Sequence, residues 1–528
     1  MVPSFWMTVF FWMATPFVAF LKYHDYGILR GEVLLCLGVL AFVSAAMSTI
    51  ARRWPASRPF LLAGLIALFL DVQFDDFWRA RYLAWMFAIL SVVLWCTRTY
   101  ASQVLSAVGA TMFVTTVLLP PNGQRVPPGG NAARPNGNLP FTLHIILDEH
   151  IGIEGLPPDA DSQKLAAGMQ AFFRRHDFML FGGAYSRYYN TVRSLSHQFN
   201  FSAGSRERAL YEKSDDDEFT WHLTQNDYLS MLERMGYAAR VYQSNHVNVC
   251  SDPAPALACG TYNYTGLIAL KTASLSIAEK AFAIASIVLT RTVPYQEFTR
   301  HYVSKRRSLL ERGIALPAWN GLPQNAAPLI AAGTMASIRE NLATARHGEY
   351  VLAHLLIPHS PYVYDSDCNV QPPWRWLGRS APAGFANTRE GRVARYRLYR
   401  AQMRCTYTKL EELLDAIPPD IKRDAIVIIQ GDHGSRITTT ESSMPPSRRL
   451  TSRDYVDGYS TLFAVRAPGL PPTYDTRMVP IACLFRTLVQ SGYAKRTIFD
   501  ACATPPTVVV ADHRGSLKVA RLPEFVQN

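Results

Sequence analysis

The chain has 528 residues, 49% of them hydrophobic and 18% charged, and a formal net charge of +12. That length calls for more than one domain. The excess of Lys and Arg comes without basic runs interleaved with aromatics and without zinc-finger spacing. This argues against nucleic acid as a partner and for a basic surface facing anionic lipid.

Residues 1–119 carry five apolar runs: "FWMTVFFWMATPFVAFL" from Phe5, "VLLCLGVLAFVSAAMSTI" from Val33, "FLLAGLIALFL" from Phe60, "YLAWMFAILSVVLWC" from Tyr82 and "ASQVLSAVGATMFVTTVLL" from Ala101. A spanning helix needs about 20 mostly apolar residues. The pattern therefore predicts a membrane-embedded domain of five spans, or four if the short third run does not cross. The first run is not a cleavable signal, since no Lys or Arg precedes it and no small-residue cleavage site follows. Arg52, Arg53, Arg58 and Arg98 place the loops after the second and fourth runs in the cytoplasm, against a weaker contribution from Arg79 and Arg81. Five spans then put the rest of the chain outside.

Residues 120–140, "PPNGQRVPPGGNAARPNGNLP", are dense in Pro, Gly and Asn and predict a linker. Beyond it, residues 141–528 alternate strand and helix signals. "FTLHIILDEH" reads as a buried strand ending in acid, "SQKLAAGMQAFFRRH" as a helix and "FMLFGGAYS" as a strand. "DYLSMLERMGYAARVYQ" reads as helix, turn and strand, and "YVLAHLLIPH" as a strand. "RYRLYRAQMRCTYTKLEELLDAI" is a long amphipathic helix, ahead of the strands "DAIVIIQGDHG" and "STLFAVRAPG". The alternation predicts an α/β domain with a central, mostly parallel sheet. The stretch "AFAIASIVLT" is too short for a sixth span and reads as a buried helix. Six of the eight cysteines lie beyond the linker, which suits an exported, disulfide-bonded domain. The local pairs are Cys250 with Cys259 and Cys483 with Cys502, leaving Cys368 with Cys405.

In parallel sheets ligands sit at the carboxyl ends of strands. Asp148, Glu149, His354, His359, Asp432 and His433 all fall there. Taken singly, Asp432 and His433 in "GDHG" serve equally as metal ligands, a hydrogen-bonded pair or an ordinary turn, and the glycine would let the turn bring both inward. Taken together, these residues meet the needs of metal-assisted phosphoryl or sulfuryl transfer. A hydroxyl nucleophile needs its pKa lowered, and a divalent cation held by carboxylate and imidazole does that. Thr191 in "YYNTVRSLSHQFNFS" would supply the hydroxyl, with Asp148, Asp432 and His433 as ligands and His354 and His359 holding substrate oxygens or the leaving group.

Four pieces in order, "FTLHIILDEH", "NTVRSLSHQFNFS", "HLLIPHSPYVY" and "GDHG", resemble the alkaline phosphatase superfamily in its sulfatase-like branch, nearest to membrane-anchored phosphoethanolamine transferases. The resemblance covers most of residues 141–470. It implies Asp148, Thr191, Asp432 and His433 at a Zn²⁺ site, with Mn²⁺ as the alternative, and Glu149 as a further ligand. It implies His354, His359 and Asn190 at the substrate. It implies a bacterial inner-membrane protein with a periplasmic catalytic domain. Such an enzyme moves a phosphoethanolamine-like head group from a membrane phospholipid donor to an envelope glycan or lipid acceptor through a covalent threonine. The alternatives are a sulfatase-like phosphodiesterase and a non-catalytic protein that binds an envelope polymer. Three features depart from the pattern. Glu149 stands where the transferases lack an acid. The next histidine after "GDHG" is His513, beyond a loop carrying Arg448 and Arg449. The Cys/Ser-x-Pro-x-Arg signature of formylglycine sulfatases does not occur.

Overall fold

The computed structural model describes residues 5–73, 80–120, 135–202, 210–214, 220–250, 257–314, 321–378, 389–438, 450–491, 496–502, 505–511 and 516–525. Most of the expected linker, Arg79, Arg448, Arg449 and His513 lie outside the described residues. The chain forms two compact units. One comprises Met1–Gln124, Leu267–Asn325 and Pro372–Trp376; the other comprises Arg125–Gly266, Ala326–Gln371 and Leu377–Asn528.

All five apolar runs fold as helices: α1 (Phe5–Tyr23), α2 (Gly31–Arg53), α3 (Arg58–Gln73), α4 (Ala80–Cys96) and α5 (Arg98–Leu118). Among the described residues, four helices are long and apolar enough to cross a membrane. The third run is among them, because the turn Pro55–Ser57 lengthens it to Pro55–Gln73. The short helix is instead α4, with 17 residues. Helix α1 packs against α5, α2 and α3. Trp12 of α1 donates its indole N–H to Leu105 O at 3.0 Å, and Val9, Leu62, Leu65 and Leu94 bury around it. Large apolar side chains such as Phe42, Trp85, Ile89 and Val92 point outward and stay exposed. Water penalises such a surface and lipid tails do not.

Helices α6 (Ala160–Arg175), α7 (Thr191–Phe199) and α8 (Asp227–Met235) precede a pair, α9 (Ile277–Thr290) and α10 (Val293–Leu310). Helices α11 (Ala327–Leu342), α12 (Arg389–Asp415), α13 (Ser452–Tyr459) and α14 (Ile481–Gln490) follow. The main sheet has eight strands: β1 (Thr142–Leu147), β2 (Met179–Phe181), β3 (Ala238–Ser244), β4 (Leu257–Tyr262), β5 (Glu349–Leu355), β6 (Ile426–Gly431), β7 (Phe463–Arg466) and β8 (Tyr474–Asp475). Their order is β8-β2-β7-β6-β1-β5-β3-β4. The run from β6 to β4 is parallel, and β7 lies antiparallel to β6 and β2. The expected mostly parallel sheet is therefore present. Strands β1 ("TLHIIL") and β6 ("IVIIQG") are buried along their whole length. That is why they read as unbroken apolar runs rather than as an alternation.

The chain leaves the sheet-bearing unit after Gly266 and returns at Ala326, whose N–H donates to Thr265 O at 2.7 Å. Gly266 closes this neck with φ +67°, and a Cβ there would strike the Ala326 carbonyl. The excursion carries "AFAIASIVLT" as α9. The sequence predicts a buried helix, and the structure packs it against α2, with the Cys36 thiol on Ala281 O at 3.5 Å. It also packs on Pro373–Arg375 and α10 and buries Ala281, Ala283, Ile284, Ser286, Ile287 and Thr290, while Ile277 and Leu289 remain exposed. All three expected disulfides form, and Cys36 and Cys96 are free thiols.

Candidate metal and nucleophile site

Strand register assembles the site. Leu147 of β1 lies beside Gly431 of β6 and Leu355 of β5. The next residues, Asp148 and Asp432, therefore emerge side by side, with His354 on the adjoining strand end. Oxygen and nitrogen atoms of Asp148, His354 and Asp432 lie within 4.8 Å of one another. All three residues are buried. Asp148 Oδ1, Asp432 Oδ2 and both ring nitrogens of His354 have no hydrogen-bond partner. Buried polar atoms without partners are costly. Two carboxylates and an imidazole aimed at one point fit a divalent cation of the Zn²⁺ or Mn²⁺ type.

Thr191 is the first residue of α7. Its hydroxyl lies 3.2 Å from His433 Nε2 and 3.4 Å from Asp148 Oδ2. His433 Nδ1 donates to the Gly434 carbonyl at 2.9 Å, which leaves Nε2 as a lone pair facing Thr191. His433 Nε2 is also 3.2 Å from Asp432 Oδ2 and 3.7 Å from Asp148 Oδ1. Residues one helical face apart on α7 fasten it to β6. Ser194 Oγ donates to Asp432 O at 2.6 Å, and Gln198 Nε2 to Gln430 Oε1 at 2.9 Å. The helix amino terminus adds a positive field at the Thr191 oxygen.

The ionisation pattern follows from burial and close charges. Burial pushes the Asp148 carboxyl up, but the field of His359 and the neighbouring His354, with Nε2 3.5 Å from Oδ2, hold it well below the usual range. Asp432 goes the other way, up to about 7, through burial and then the Asp148 charge. His433 is pushed down to about 3 by burial and by Arg436, so it is neutral.

Other expected site residues take different positions. His354, read as a substrate residue, stands inside the group of possible cation ligands. Glu149, read as a ligand, turns its carboxylate to Arg436, with Oε1 2.6 Å from Nη2 and 3.2 Å from Nε. Its own peptide, at φ +62°, gives its N–H to Asp432 Oδ1 at 3.2 Å. Glu149 thus positions Asp432 through the backbone. Asn190, also read as a substrate residue, uses its side-chain oxygen to cap α7, accepting from Arg193 N at 3.1 Å. His359 is half-buried, with Nε2 3.7 Å from Glu149 Oε1.

Three residues escaped the sequence reading. Arg436 lies in the same "GDHGSR" segment, and its guanidinium also sits over the Tyr189 ring at 5.5 Å. Asp457 of α13 is fully buried and holds the loop after β6. It accepts from Ser435 Oγ at 2.6 Å, Thr438 N at 2.9 Å and the Tyr396 hydroxyl. Gly434 is required by this packing rather than by its φ, since a Cβ there would strike Asp457 O. His246 follows β3 at the same end of the sheet. Burial lowers it to about 4 against the pull of Asp148, with His354, His359 and Arg436 adding to the lowering. The strand-end Asp432 marks the neighbourhood of Arg436; no such signal marks Asp457, inside α13, or His246, in "SNHVNV".

Fold and site together define an α/β unit with a hydroxyl beside a cation-ready group at its strand ends, in a chain that also carries membrane-length helices. No protein-family model matches the chain, and no curated protein matches it. Solved structures do. A phosphonate monoester hydrolase of Agrobacterium radiobacter is 13% identical with a TM-score of 0.42, covering 73% of this chain and 91% of its own. The periplasmic domain of EptC from Escherichia coli is 13% identical with a TM-score of 0.38, covering 75% and 96%. The periplasmic domain of the phosphoethanolamine transferase EptC from Campylobacter jejuni is 10% identical with a TM-score of 0.39, covering 68% and 91%. Likeness at this distance assigns no activity, so function rests on the residues themselves.

Proposed function

We propose that this protein transfers a phospholipid-derived phosphoryl head group, phosphoethanolamine-like, to an envelope glycan or lipid through a covalent threonine. The carrying observation is the Thr191 hydroxyl, 3.2 Å from a neutral His433 Nε2 and 3.4 Å from Asp148. A divalent cation held by Asp148, His354 and Asp432, with His433 facing the same point, would lower the hydroxyl pKa and offset charge on the transferred group. Thr191 Oγ attacks phosphorus as its proton passes to His433 or bulk water, the bond from phosphorus to the lipid glycerol oxygen breaks, and that oxygen takes up a proton so that diacylglycerol leaves. The diester on Thr191 then passes its phosphoryl group to an acceptor hydroxyl by the reverse chemistry. Helices of membrane length support a lipid donor and an extracytoplasmic catalytic unit at the inner membrane. The test is mass spectrometry of Thr191 after exposure to total membrane lipid, with Thr191→Ala as control. An adduct whose mass names the head group is expected. Lipid turnover retained in Thr191→Ala would end the proposal, and release of the group only to water would make the enzyme a phosphodiesterase.

A further inference from the structure

Within the helical unit, α1, α2, α3 and α9 enclose a cavity of about 430 Å³. Its walls are apolar: Phe17 of α1, Leu35 and Val39 of α2, Leu68 of α3, and Phe282 and Leu289 of α9 contribute. The volume falls in the range of small-molecule sites, roughly 300–1,000 Å³. Cavities of this composition exclude water and take apolar guests. Leu35, Val39 and Leu289 are also exposed, so the cavity opens onto the outside of the bundle. Of the four flanking helices α1, α2 and α3 are of membrane length, while α9 has 14 residues; an opening between membrane-length helices faces lipid.

A charged cluster stands beside the apolar wall. Lys280 immediately precedes the lining residues Ala281 and Phe282. Lys280 Nζ and Arg30 Nη2 both donate to Lys271 O at 3.2 Å. These three cations face two carboxylates, Glu32 at 2.6 Å from Arg30 and Asp25 at 3.5 Å from Lys271. Glu279, next to Lys280, turns its carboxylate to Ser276 as the cap of α9, so among the described residues the ion pairs at this end take up Arg30 and Lys271 and leave Lys280 at the rim. An apolar slot with a lysine at its rim complements a phospholipid, whose acyl chains are joined through glycerol to a phosphate.

We propose that this cavity seats an acyl chain of a glycerophospholipid whose phosphate lies at Lys280, and that α9 forms its wall. That this lipid is the head-group donor rests on the transferase reading above. The test uses the full-length Thr191→Ala protein in phosphatidylcholine bilayers, so that chemistry plays no part. The probe is phosphatidylethanolamine with a diazirine at the acyl-chain end, irradiated and mapped by mass spectrometry. Expected are crosslinks concentrated on the cavity walls, reduced about tenfold by Ala285→Trp and separately by Val39→Trp. Lys280→Gln should cut labelling by this probe more than labelling by the same diazirine on diacylglycerol. Crosslinks spread evenly over outward residues such as Phe42 and Trp85, unchanged by either Trp, would overturn the proposal. Cavity labelling without a Thr191 adduct in the unmodified protein would sink the transferase reading and leave the lipid site. An adduct without cavity labelling would do the reverse.

Discussion

Glu149→Gln separates two roles for one carboxylate. In the structure Glu149 is fully buried and both of its contacts to Arg436 fall on one oxygen, at 2.6 and 3.2 Å. Each charge-assisted hydrogen bond of this kind contributes about 1.5–3 kcal/mol. Removing one charge of a buried pair costs about 3–5 kcal/mol, because the other is left uncompensated. Glu149→Gln should therefore destabilise the protein by that amount while its bound metal stays near the unmodified stoichiometry. Pairing it with Arg436→Met, which removes the stranded cation, should recover most of the loss. The assay is denaturant unfolding of the full chain in detergent, alongside metal analysis after dialysis. The reasoning fails if Glu149→Gln loses its metal and the double variant does not regain stability. Glu149 would then be a ligand, as the sequence resemblance implies.

His354→Gln should lose metal on dialysis, because this imidazole stands in the group that could hold a cation; retained metal with a raised KM would return it to the substrate. Asp432 is raised to about 7 in the metal-free site. A raised folded-state pKa means that its protonated form stabilises the metal-free protein at acid pH, and that this contribution is lost as pH rises through about 7. Metal must displace that proton, so metal affinity should fall by about tenfold per pH unit below 7, with proton release seen by calorimetry in two buffers. Asp457→Ala should leave the Ser435 and Thr438 donors unpaired and loosen the loop bearing Asp432 and His433. About a 10–100-fold faster metal loss, read with a chromogenic chelator, is expected, with no change in the three disulfides.

Much of this protein is written locally. Apolar runs near 20 residues make membrane-length helices whatever surrounds them, and unbroken strands such as "TLHIIL" and "IVIIQG" announce a parallel sheet covered on both faces. Since parallel strands present their carboxyl ends together, Asp148, Asp432 and His433 were legible as neighbours without coordinates. Side-chain partners were not. Glu149 finds Arg436 across 287 positions, and His354 joins the carboxylates only because β5 pairs with β1 in one register. Asn190 reads as a site residue in the sequence, and only the fold shows that its side-chain oxygen caps α7 next to Thr191. Helix α9 is apolar enough for several homes, and only the closed neck at Gly266 and the packing on α2 assign it one. Period and composition determine which face of an element is apolar. Register and the direction of each side chain are settled only when distant segments compete for the same buried space.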